Sequence, residues 1–113
     1  MHAVSQNFKV AEIKNTGFEK VPRASLTSEN TRMALDYHSD LCHLRPNDIV
    51  KIDIYTSEKP AINKNTYLTR GIVYKIQNNR FEASFGGLLM FYEGPLMDQI
   101  ALESEIYVSV TRI

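Results

Sequence analysis

Tryptophan is absent from this 113-residue chain, and cysteine occurs once, at Cys42. A single cysteine excludes an internal disulfide framework and fits a reducing compartment, cytosol or nucleus. No apolar run approaches the roughly 20 residues of a membrane helix, so no membrane partner is expected. No basic segment followed by an apolar run opens the chain, so no signal peptide is expected. Glycine and proline are sparse, at five and four, and there is no repeat, low-complexity tract or linker. One domain over residues 1–113 follows. Net charge is also missing, with 13 Lys/Arg against 13 Asp/Glu. A dedicated nucleic-acid binder carries a basic excess. The charge is unevenly placed, however. Residues 1–80 hold 12 basic and 8 acidic side chains, a net of +4, and residues 81–113 hold 1 and 5, a net of −4. Between Asn63 and Arg80 stand Lys64, Arg70, Lys75 and Arg80 with no acid.

The residues of catalysis are scarce too. There are three histidines, His2, His38 and His43. "HSDLCH" gathers His38, Asp40, Cys42 and His43, but no second Cys/His group exists to complete a zinc site. Cys42 and His43 are chain neighbours and so do not face each other as nucleophile and base. No P-loop, dinucleotide fingerprint or G-x-S-x-G is present. No catalytic residue, cofactor or metal is therefore expected.

What the chain does have is a period of two. In "IVKIDIYT", Val50, Ile52 and Ile54 oppose Lys51, Asp53 and Tyr55. In "GIVYKIQ", Ile72, Tyr74 and Ile76 share a face, which places Tyr74 in the core. Phe81, Ala83 and Phe85 form another such set, as do Met33, Leu35 and Tyr37, and Ile106, Val108 and Val110. This is the half-buried strand signal. Turn residues separate the runs at "SEN" 28–30, "RPND" 45–48, "KPAINKN" 59–65 and "NNR" 78–80. Eight strands are predicted: 7–13, 18–26, 31–37, 49–56, 67–77, 80–85, 88–93 and 105–112. Short helical turns are predicted at "HSDLCHL" and in 94–102, where Leu96 or Met97 and Ile100 face inward. Many short antiparallel strands point to an all-β sandwich or a closed barrel, and closure removes the open edges that invite aggregation.

"FGGLLMFYEG" at 85–94 departs from this alternation. Gly86–Gly87 between apolar runs is a two-residue hairpin signal, since primed turns need positive φ. Either the glycines serve the turn alone, or their missing side chains let another backbone approach. Beyond them Leu88, Met90 and Tyr92 face the core, so Leu89 and Phe91 face away. A strand apolar on both faces is covered on both. The second cover is either the chain's own 94–102 segment or a protein partner. A rival reading is a single-strand nucleic-acid surface, with Tyr55, Tyr67 and Tyr74 for stacking and Lys64, Arg70, Lys75 and Arg80 for phosphates.

Several segments, in order, resemble the small subunit shared by the three eukaryotic nuclear RNA polymerases, usually counted eighth. "FKVAEIKNTGFEKVPRASLTSEN" is similar to that family's opening pair of strands. "MALDYHSDLCHLRPNDIVKIDIYTS" is similar to its next unit, and "GIVYKI" to a G-x-x-Y-[KR] segment. "SFGGLLMFYEG" matches its most recognisable motif and "ESEIYVSVTRI" its closing strand. The resemblance spans nearly the whole chain. It implies a single eight-stranded antiparallel barrel related to the OB fold, without an active site or cofactor, in the nucleus. It implies docking on the largest subunit of RNA polymerases I, II and III, with contacts to other polymerase subunits. Weak single-stranded DNA binding is the further partner to weigh. The partner-binding set is then Gly86, Gly87, Leu88, Leu89, Met90 and Phe91. Three differences stand out. About ten residues, 57–66, replace a long acidic insert of the family. Phe91 stands where the family has Arg, and this chain is neutral where the family is acidic.

Overall fold

The computed structural model describes residues 2–56, 60, 66–95 and 100–113, and of residues 2 and 3 the backbone. Eight antiparallel strands close into a barrel: β1 His2–Asn15, β2 Pro22–Thr27, β3 Arg32–Asp36, β4 Ile49–Tyr55, β5 Thr66–Gln77, β6 Arg80–Phe85, β7 Leu88–Glu93 and β8 Glu105–Arg112. Around the barrel they run β1-β2-β3-β7-β6-β5-β8-β4, and β4 returns to β1. Two three-stranded meanders, β1–β3 and β5–β7, meet where β3 pairs with β7.

The period of two sets the core. Val50, Ile52 and Ile54 from β4, Ile106, Val108 and Val110 from β8, and Phe81, Ala83 and Phe85 from β6 all point inward. Met33, Leu35 and Tyr37 join them as expected, with Phe8, Val10 and Leu26. Burying a side chain of this size contributes about 1.5–3 kcal/mol.

The predicted strands are present, β1 running from His2 to Asn15 where 7–13 was predicted, with three further corrections. β2 begins at Pro22 rather than residue 18, because Gly17 and Lys20 take positive φ (90° and 61°) and spend 17–21 on the turn. No helix occurs among the described residues. The "HSDLCHL" segment closes a single turn, in which the N–H groups of Leu41 and Cys42 donate to the His38 carbonyl. In 94–102, Leu96 and Met97 lie outside the described residues, while Ile100 is buried as expected.

The third correction is larger. Ile72 and Tyr74 are exposed, at 53% and 43%, whereas Val73 is fully buried. The inward set of β5 is therefore Gly71 and Val73. A bulge then breaks the register between Val73 and Lys75, so Tyr74 and Lys75 both stand opposite Glu82. Gly71 explains the phase. A Cβ there would lie 2.6 Å from both the Phe85 ring and the Ser84 carbonyl oxygen. Only a residue without a side chain lets the Phe85 ring pack under β5.

Candidate docking face

The glycine pair makes the turn it was expected to make. Gly86 and Gly87 have φ of 70° and 103°, and Phe85 pairs with Leu88 across them. An added Cβ would meet nothing within 4 Å at either glycine, so the conformation, not crowding, requires glycine there.

β7 then presents its two faces. Met90 and Tyr92 are buried, Tyr92 stacks on Phe81 with ring centroids 5.0 Å apart, and its hydroxyl donates to the Pro95 carbonyl at 2.7 Å. Leu88 is half-buried against the same core. Leu89 and Phe91 turn outward and are half-exposed. Across from Phe91 stand Ala34 on β3 and Glu82 on β6. Because Ala34 is short, a longer side chain from one strand further reaches over it. The Arg23 guanidinium, from β2, lies 5.1 Å from the centre of the Phe91 ring. Such a cation over an aromatic face is worth about 0.5–1 kcal/mol at an exposed site.

Arg23 is held in place by Asp36. Its Nε and Nη2 donate to the two carboxylate oxygens at 2.6 and 3.1 Å, and Asp36 Oδ2 also accepts the Leu89 N–H at 3.0 Å. That hydrogen bond raises the Arg23 pKa, against the lowering effect of burial. Among the described residues, the outward side of β7 is thus partly covered from within the chain by a fixed guanidinium. Beside it the face continues through Glu82, which accepts from the Tyr74 hydroxyl at 2.8 Å and pairs with Lys75 at 3.8 Å. A shallow groove of about 270 Å³ follows β7 between Arg32, Ala34, Phe91, Glu82 and Arg80. In the register Glu93 stands between Arg32 and Arg80.

The basic candidates do not form one track. Arg70 pairs with Glu105 at 3.7 Å, Lys75 with Glu82, and Arg80 faces Glu93. Lys64 lies outside the described residues. Of the three tyrosines, Tyr67 and Tyr55 are half-buried, and Tyr67 accepts the His38 N–H at 3.4 Å. Tyr74, expected in the core, is exposed, but its hydroxyl is committed to Glu82.

Cys42 is buried and burial pushes its thiol up to about 11, so it is protonated at neutral pH. Among the described residues no three His, Cys, Asp or Glu side chains gather into a metal site.

Sequence reasoning missed Arg23 and Asp36, which order this face. Asp36 meets Leu89 across 53 positions of chain. No local pattern announces that contact. No protein-family model matches the chain, and no curated protein matches it.

Proposed function

We propose that the chain is a non-catalytic structural subunit common to the nuclear DNA-directed RNA polymerases. In this reading it is a barrel related to the OB fold. It docks on the largest subunit of polymerases I, II and III and supports assembly in DNA-templated transcription. The observation that carries the reading is the "SFGGLLMFYEG" stretch. Its hairpin and strand display Leu89 and Phe91 outward beside a fixed Arg23, in a chain whose other motifs follow the family's order. Completing the burial of the half-exposed Phe91 against a partner is worth about 1–1.5 kcal/mol.

The test is a tagged pull-down from the native cell, washed at moderate salt, with co-purifying proteins identified by mass spectrometry. Recovery of the largest subunits of all three nuclear polymerases is the expected result. Leu89→Asp is expected to keep the isolated domain folded and to lose those subunits, because Leu89 is half-exposed. Recovery of nucleic acid without polymerase overturns the reading. It makes Lys64, Arg70, Lys75 and Arg80 the residues to mutate, with steep salt dependence as the signature.

A further inference from the structure

The barrel is closed, but its strands are out of step. β5 pairs with β8 from Thr66 to Ile72 and with β6 only from Ile72 onward. The tight turn at Gly86–Gly87 ends β6 at Phe85. The first half of β5 therefore projects past its neighbour, with no strand on that flank among the described residues.

Val73 shows which way the peptide groups point. Its N–H donates to the Ser104 carbonyl at 3.0 Å, and its carbonyl accepts the Glu103 N–H at 2.7 Å. Both groups face the β8 side. Peptide groups alternate sides along a strand. Gly71, Thr69 and Tyr67 thus bond toward β8, and Leu68 and Arg70 direct an N–H and a carbonyl each to the open flank. Among the described residues nothing meets these four groups. On the outer surface Leu68 is half-exposed, and the Arg70 side chain is 66% exposed with one 3.7 Å contact to Glu105. A guanidinium has five donors, so most of Arg70's remain available. A groove of about 400 Å³ leads from Arg70 past Ile72 and Ser84 to Gly86, which joins this flank to the β7 hairpin.

We infer that the Leu68–Arg70 edge receives an extended segment of a partner protein as an added β-strand. The segment sets an apolar side chain opposite Leu68 and a carboxylate opposite Arg70, two residues apart on the outer face. Donors and acceptors at strand spacing fit an extended backbone, whereas a helix has no main-chain groups free along its length. A phosphate backbone matches Arg70 but is repelled by the two carbonyls. A second copy pairing antiparallel about Thr69 sets Arg70 against Leu68, not against a carboxylate. β1 supplies the contrast. Val10 bonds to Asn47 and Asp48 on the β4 side, so Ser5 and Asn7 face its own free flank. Their exposed side chains are small and polar, with neither an apolar nor a charged anchor.

The inference rests on the subunit reading, and the experiment separates the two. Hydrogen–deuterium exchange, read at single amides, is compared between the isolated tagged chain and the assembly it captures from the native cell. In the isolated chain Leu68 and Arg70 exchange fast while Thr69 and Gly71 are protected. In the assembly Leu68 and Arg70 slow by about tenfold or more, and Ser5 and Asn7 stay fast as the internal reference. Polymerase subunits captured with Leu68 and Arg70 still fast overturn the added strand and leave the subunit reading. A different assembly with both amides slowed keeps the strand and removes the subunit reading. Capture of nothing, or slowing in a homodimer, overturns the strand. Leu68→Pro removes the outward N–H without touching a bond to β8 and is expected to cut capture about tenfold. Leu68→Ala keeps the N–H and is expected to retain capture within about threefold. Equal capture by the folded Pro variant overturns the inference. If that variant does not fold, the wild-type exchange at Arg70 decides.

Discussion

β1 and β5 are the long strands, 14 and 12 residues, and each serves two neighbours. Each changes partner midway, and each carries a bulge near the change, between Val10 and Glu12 and between Val73 and Lys75. Each also leaves an overhang that a single polar side chain bridges. On β1 it is Gln6, whose amide donates to Thr31 Oγ1 at 3.3 Å and accepts from Ser28 Oγ at 2.8 Å. On β5 it is Tyr67, whose hydroxyl meets the His38 N–H at 3.4 Å. The two strands differ in what they show outside. β1 displays Ser5, Asn7 and Lys9, and β5 displays Leu68, Arg70, Ile72 and Tyr74. Strand stagger creates an overhang wherever a barrel closes. The side chains beside it decide whether the overhang is inert or can select a partner.

The largest effect that tests this comparison lies on the inner faces. Phe8→Ala in β1, where the ring is 1% exposed, is expected to cost about 3–5 kcal/mol in urea unfolding. Val73→Ala is expected to cost somewhat less than the roughly 1.5–3 kcal/mol of a buried valine side chain. Ile72→Ala, one residue away, is expected to stay within about 0.5 kcal/mol. A large loss at Ile72 and none at Val73 breaks the assigned phase of β5.

The glycines come next. Gly71→Ala forces a Cβ onto the Ser84 carbonyl and the Phe85 ring and is expected to cost about 1–3 kcal/mol. Gly86→Ala meets no atom but must hold φ of 70°, a cost of about 1–2 kcal/mol. Calorimetry separates the two causes. Gly86→Asn is expected to recover part of its loss because Asn tolerates the left-handed region, while Gly71→Asn only adds bulk.

The bridging side chains give smaller changes. Gln6→Met removes the acceptor of the Ser28 hydroxyl and one donor to Thr31 Oγ1, which keeps its bond to Asn30, and is expected to cost about 0.5–1.5 kcal/mol, with Tyr67→Phe nearer 0.5. Equal costs remove the asymmetry between the two overhangs.

A pH scan reports on buried protons near the start of β5, with Tyr92 on β7 and Tyr55 on β4 adding to it, since burial raises their pKa values as well. Burial raises the pKa of Tyr67 and Tyr37, and pushes Cys42 up to about 11. In each case the folded state holds the proton more tightly than the unfolded chain. Their contribution is therefore complete below the unfolded values, about 8.5 for Cys and 10 for Tyr. It is lost as pH rises through the folded ones. Unfolding midpoints should fall from about pH 9 upward, and Cys42→Ala should remove the earliest part of that fall.

The strands and most of their inward residues were legible in the chain, because alternation survives wherever a strand is regular. It identified Val50, Ile52 and Ile54, the β6 and β8 sets, the Gly86–Gly87 turn, and the outward pair Leu89 and Phe91. It misread β5. Alternation puts Ile72, Tyr74 and Ile76 on one face but does not say which face is inward, and the larger apolar set is the exposed one. Gly71 gave the true phase, but a glycine inside a strand reads as a weak point until the Phe85 ring is seen beneath it.

Local chemistry, then, sufficed for what depends on neighbours along the chain: strand periods, turn glycines, and the lack of a disulfide. Only the tertiary structure settled what depends on neighbours across it. The order β3-β7-β6-β5, the Arg23–Asp36 pair that covers Phe91, and the overhang at Leu68–Arg70 join residues tens of positions apart. Their geometry follows from closing eight staggered strands around one core. The hydrophobic effect is indifferent to direction and names no partners. Backbone register and steric fit then choose among the arrangements that bury the same side chains.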